Sequence, residues 1–210
     1  MKSTFPTLES LSVAVAADRV NGGYVKQAEY GDDYKTVTRK ANKYMVMDHI
    51  KGNEMLNVTD ADRKSAETML IHFRGYMMLQ LAGKLNDFQQ TVFSVISKDE
   101  ISIKNQYECS IVSCLPKVYR TDLQRKELDA MKRNSTAIEE DNFRGEIIAE
   151  ACRYSVYYDK FRITARAGNK IIDFWYRESL ETGMPYMIKG KVKARRGDGT
   201  TQLNYVKITG

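Results

Sequence analysis

The sequence predicts an α+β protein. A mostly helical N-terminal domain covers residues 1–133, a short linker 134–142, and a small five-stranded β-barrel 143–210. Three observations lead there. Apolar residues recur every three or four positions as far as about Arg133, then every second position after Phe143. The stretch between them, Asn134 to Asn142 (NSTAIEEDN), is polar, acidic and without period. Finally, residues 143–210 hold 13 of the 33 Lys and Arg, 7 of the 27 Asp and Glu, and 10 of the 21 aromatics, including the single tryptophan, Trp175. The net charge of +6 therefore resides in the last third of the chain, and residues 1–142 are neutral.

A first helix is expected from Pro6 or Thr7 to Val20, amphipathic, with Glu9 in its first turn and Asn21-Gly22-Gly23 as its stop. Residues 24–33 read as irregular. Tyr34, Val37, Ala41, Tyr44 and Met45 then step at helical spacing to a stop at Gly52. Thr59 or Asp60 caps the longest helical signal, whose face is Ala66, Leu70, Phe73, Met77, Leu81, Leu85 and Phe88, and which either continues through Val92 and Ile96 or breaks near Asn86-Asp87. Ser97 to Glu100 reads as a capping box opening a helix that stops before Pro116, and Thr121-Asp122 as the cap of a last charged helix.

Beyond the linker, Glu146 to Tyr158 reads as one long strand or two with a bulge. Phe161 to Arg166 alternates, Ala167-Gly168-Asn169 has hairpin-turn chemistry, and Lys170 to Tyr176 returns as the partner strand. Alternation places Ile172 and Phe174 inward, with Ile171, Asp173 and Trp175 outward. Glu178 to Gly183 is a single helical turn or a loop. Tyr186 to Ala194 puts Lys189, Lys191 and Lys193 on the face opposite Ile188, Gly190 and Val192. A loop at Arg195 to Thr200 precedes the last strand, Gln202 to Ile208.

This order (long strand, hairpin, short connection, strand, loop, strand, with a glycine at position 190 of the fourth) resembles the OB-fold superfamily over Phe143 to Gly210. An SH3-like barrel or an open sheet fits the same pattern. The resemblance implies a binding face on the second and third strands, flanked by the loops between strands one and two and between four and five. Those elements contain Arg162, Arg166, Trp175, Tyr157, Tyr158, Arg195 and Arg196. Single-stranded nucleic acid needs cations spaced along its backbone and flat side chains for its bases, and this set supplies both. A one-residue register slip would instead bury Trp175. The lysine row 189, 191 and 193 serves either phosphate contact or protection of a solvated edge strand.

Catalytic signals are sparse. His49 and His72 have no metal spacing, and no phosphate-binding glycine loop occurs. Asp60 and Asp62 read as cap and first-turn carboxylates, and Asp32-Asp33 is too small a set for a nuclease metal site. Cys109, Cys114 and Cys152 form no CxxC pair and read as buried reduced thiols. No apolar run approaches the ~18 residues of a membrane span, and the N-terminus makes a poor signal peptide. The expectation is a cytoplasmic, cofactor-free and non-catalytic binder of single-stranded nucleic acid, DNA before RNA, serving replication, recombination or repair. An adaptor docking onto nucleic-acid machinery is the alternative, ahead of an RNA-binding factor or a metal-dependent nuclease. The neutral helical domain suits a scaffold, an oligomerisation element or a docking surface for a replication or transcription protein, with Met69, Met77 and Met78 serving either such a surface or the core.

Overall fold

Thr7 to Val20 forms α1, preceded by a short strand β1 (Thr4–Pro6). Small residues let neighbours approach on all sides, so Ser10, Ser12, Ala14, Ala16 and Ala17 are buried together with Leu11 and Val13. The expected amphipathic helix is thus a central one, and the Ser10 and Ser12 hydroxyls donate to the Pro6 and Leu8 carbonyls at 2.9 Å each. The structure, a computed structural model, describes residues 4–32, 34–104 and 106–209. It comprises two compact units, Met1–Asp122 and Leu123–Gly210. Asp33, half of the Asp32-Asp33 pair, lies outside the described residues.

In the first unit β2 (Glu29–Tyr30) and β3 (Val37–Arg39) form a small ribbon, and α2 (Asn42–Lys51) follows. The helix expected from Tyr34 therefore starts only at Asn42. The β-branched Val37-Thr38 pair extends instead, and Arg39 pairs across the ribbon with Glu29 at 3.1 Å. The long helix divides into α3 (Asp60–Arg74), α4 (Tyr76–Leu81) and α5 (Asp87–Ile96). Gly75 joins α3 to α4, and Asn86 with Gln89 makes a capping box at the expected break.

Ser97 does not open a helix. It ends α5, and Glu100 begins β4 (Glu100–Ser102), which pairs with β1 and buries Ile101 opposite Phe5. Pro116 and Thr121-Asp122 likewise fail to interrupt α6 (Gln106–Arg133). Burial of Val112, Leu115 and Pro116 outweighs the single backbone bond that the proline forfeits. Asp122 accepts from the Tyr76 hydroxyl and lies 3.2 Å from His72 Nε2.

One carboxylate ties α1 to α3. Asp62 accepts from the Thr59 amide at 2.9 Å, closing a capping box, and from the Arg19 guanidinium at 3.0 and 2.9 Å. Arg19 holds its pKa at about 2, below the ordinary 3.8. A carboxyl depressed on folding contributes stability above its unfolded pKa and loses it as pH falls through the folded value. Between pH 4 and pH 2 the unit should therefore lose on the order of 1–2 kcal/mol through this group, discounted because Arg19 reaches in from solvent. In Asp62→Asn the acid limb of a denaturation series should flatten across that window. An unchanged limb would remove Asp62 from the acid response.

The second unit is built on a closed barrel. Its strands are β5 (Asn142–Ser155), β6 (Lys160–Ala167), β7 (Lys170–Tyr176), β8 (Pro185–Arg195) and β9 (Thr201–Ile208), in the order β5-β6-β7-β9-β8. All neighbours are antiparallel except β7 and β9, and a bulge bends β5 between Ala149 and Ala151. The protein is therefore α+β with a small five-stranded mixed barrel, compatible with an OB-like arrangement. Ile147, Ile163, Ile172, Phe174, Ile188 and Leu203 fill the interior, and Leu180 joins them from the loop at 177–184. Residues 134–141 are fastened to the barrel. The Ile138 amide donates to Thr201 Oγ1 at 2.9 Å, and Ser135 Oγ accepts from the Ile171 amide at 2.8 Å.

Gly190 sits where β8 crosses β9. A Cβ there would lie 3.0 Å from Val206 Cγ2 and 3.2 Å from the Asn204 carbonyl oxygen. Gly190→Ala should destabilise the barrel by about 1 kcal/mol, the low end for overpacking because Val206 can yield. A chemical melt followed through Trp175, the barrel's own fluorophore, measures this directly. An unshifted midpoint would show that β8 has room to spare.

Candidate functional site

The outward face of β5, β6 and β7 is organised in transverse rows. Arg153 stands opposite Arg162, and Arg162 opposite Trp175; the next row is Ala151, Thr164 and Asp173. Residues directly opposite in antiparallel strands share a face, so Trp175 lies in one row with two arginines. Phe174 is 1 % exposed in the interior, whereas Trp175 is half-buried on the outside. The strand β7 thus has the unslipped register.

The expected strand through Tyr158 ends at Ser155 instead. Val156 to Asp159 forms the turn into β6, and Asp159 takes a left-handed φ of 48°, which aspartate tolerates better than most residues. The Tyr154 hydroxyl donates to the Asp159 carboxylate across it. The turn lifts Tyr157, 88 % exposed, and sets Tyr158 against Trp175 with ring centroids 4.7 Å apart and planes at 51°. Tyr157 meets Tyr158 edge-on at 4.8 Å. Beside these rings, β7 and β9 separate after the Asp173–Gln202 pair. The opening is a groove of about 520 Å³ lined by Lys160, Trp175, Tyr176, Arg177, Val206 and Lys207 among others.

Four arginines implied by the resemblance are engaged within the unit. Arg162 and Arg196 both donate to Asp173, at 2.7 and 3.0 Å, and Thr164 Oγ1 donates to its other oxygen at 2.7 Å. Arg166 donates to Glu150 at 2.9 Å. Arg195 holds the 134–141 segment, donating to the Ile138 and Glu139 carbonyls at 2.8 and 2.7 Å. Asp173 is buried while its two arginines remain partly exposed, so each guanidinium keeps N–H groups toward solvent. The local excess of charge is nevertheless smaller than the residue types imply.

Other cations make no ion pair among the described residues: Arg153, Lys160 and Lys207. Lys207 also belongs to a second row, because Arg144 is opposite Lys189 and Lys189 opposite Lys207 across β5, β8 and β9. All three are exposed, and like charges directly opposite one another cost stability. Lys191 stands opposite Asn142 and Asn204, and Lys193 falls within a register shift, both exposed on the same strand.

Arg153, Lys160 and Lys207 escape a reading by residue type alone. Their signal was positional: once the turn is placed at 156–159, counting back from Arg162 brings Arg153 opposite it. Elsewhere the chemistry is quiet. Among the described residues no group of three or more His, Cys, Asp or Glu is placed to hold a metal ion. Cys109 is buried, Cys114 and Cys152 are half-buried, and burial pushes the Cys114 thiol up to about 11. His49 Nδ1 accepts from the Leu56 amide at 2.9 Å, and burial lowers its pKa. No helix among the described residues is long and apolar enough to cross a membrane. Comparison with family models, curated proteins and solved structures gives no significant match.

Proposed function

We propose that the protein binds single-stranded nucleic acid, DNA in the first place, on the outward face of β5–β7, without chemistry of its own. The observation that carries the reading is the aromatic group of exposed Tyr157 and Tyr158 with half-buried Trp175, bordered by Lys160 and Lys207. Bases stack on the rings, with Trp175 and Tyr158 as the principal platform. Lys160, Lys207 and the free edges of Arg162 neutralise the backbone. Stacking on an aromatic face is sequence-tolerant, so preference among bases is weak. Replication, recombination or repair are the settings in which such a binder serves.

Fluorescence anisotropy of a labelled single strand of about 30 nucleotides, longer than the roughly 4–16 that one OB fold covers, tests the reading at two salt concentrations. Duplex DNA and RNA run alongside. Salt-dependent binding that favours the DNA single strand is expected, and absence of binding at low salt would overturn it. A second reading, docking of a protein partner, is favoured by the apolar exposure of Ile71, Met77, Met78 and Leu81 on α3 and α4. Met69, by contrast, is buried.

A further inference from the structure

The last two turns of α6 run beside the same sheet face within the second unit, leaving a cleft of about 160 Å³. Arg125 and Lys132 line it from the helix, and Arg153 and Arg162 from β5 and β6. Arg125 and Lys132 are seven positions apart, which returns them to one face of a helix. Asp129 is the one carboxylate in the lining, and of the four cations only Arg162 has an ion-pair partner among the described residues. Four positive charges thus converge on a narrow gap. Their mutual repulsion costs stability, and it is offset in part by Asp129, by Asp173 at Arg162 and by Asp198 near Lys132. An oxyanion in the gap would reverse the sign of that interaction.

We infer that this cleft receives phosphodiester groups of the strand whose bases stack on Trp175. The inference rests on the function proposed above and adds a path to it. Arg162 is the hinge, because it stands between Trp175 and Arg153 in one row and also lines the cleft. A strand leaving the tryptophan meets Arg162, then Arg153, and passes under Arg125 and Lys132. Asp129 and Lys132 also line a wider groove with Arg133, Arg196, Gly197 and Asp198, which offers the strand a continuation past Lys132.

Arg125→Gln/Lys132→Gln in the full chain tests this, with circular dichroism and thermal melting to verify the fold. Oligothymidines of about 5 and about 20 nucleotides bracket the span of one OB-fold site. With the long oligonucleotide the variant should bind roughly tenfold more weakly, and its salt slope should fall by about 1.4, as expected for two single-strand phosphates at roughly 0.7 each. The short one, held at Trp175, should bind with unchanged affinity. Unchanged affinity and slope for the long oligonucleotide, with Trp175→Ala still losing binding, would overturn the cleft and leave the proposed function standing. Absence of binding by the wild-type protein would overturn both. Should the double variant unfold, Arg125→Gln alone gives the same readout, expected at half the change in slope.

Discussion

Replacing Asp173 by alanine is expected to cost the barrel about 2 kcal/mol and, in the fraction that remains folded, to strengthen binding of single strands. The carboxylate is 2 % exposed and accepts from Arg162, Arg196 and Thr164. Breaking a fully buried pair costs roughly 3–5 kcal/mol because the surviving charge is stranded. Here both arginines can turn to water, so the loss reduces mainly to Thr164 and the vacated volume. The freed guanidiniums then face the strand, and the salt slope should steepen by about 0.7 for each phosphate gained. Denaturant unfolding followed through Trp175 gives the stability, and anisotropy at several salt concentrations gives the slope. An unaltered midpoint would mean that Asp173 is not the clamp of this face.

Trp175→Ala should weaken single-strand binding about 5- to 150-fold, the range set by roughly 1–3 kcal/mol of stacking per base. The loss should be similar for pyrimidine and purine tracts. Trp175→Phe should recover most of it, since a ring remains in contact with Tyr158, and Tyr158→Ala should show a smaller loss. Because Trp175 is only half-buried, the melting temperature should change little compared with the affinity. Equal affinity in wild type and alanine variant would remove the aromatic platform from the site.

The barrel was legible because period-two alternation, turn residues at 167–169 and a short loop before β8 act locally. The outward direction of Trp175 followed from the same alternation. What escaped was whatever depends on register between strands. No sequence pattern links Glu150 to Arg166 or Asp173 to Arg196, and only the folded barrel brings them together. The Glu150–Arg166 pair hinges on the turn at 156–159, which consecutive tyrosines disguised as a continued strand, whereas Arg162 and Asp173 meet across the β6–β7 hairpin.

In the helical unit the difficulty is of another kind. The apolar spacing in the sequence runs from Ala66 through Met77 and Leu81, so α3 and α4 read as one face. Past Gly75, however, the buried residue is Tyr76, and Met77 and Leu81 are exposed. Conversely, Pro116 marks a local stop that burial of Val112 and Leu115 overrides. The short β1–β4 ribbon was unreadable because its partners, Phe5 and Ile101, lie far apart in the chain. The segment after Thr121 reads only as a strongly charged helix, since nothing local reveals that Arg125 and Lys132 line a cleft with the barrel strands.

The most direct measurement is the emission of Trp175 during titration with unlabelled single-stranded DNA, a reading free of ambiguity because the chain has one tryptophan. Quenching that saturates at the stoichiometry found by anisotropy, and reverses on adding salt, is the result expected of bases stacked on this ring. Binding with no change in emission would place the strand elsewhere on the protein, and no binding at all would turn attention to a protein partner for the exposed face of α3 and α4.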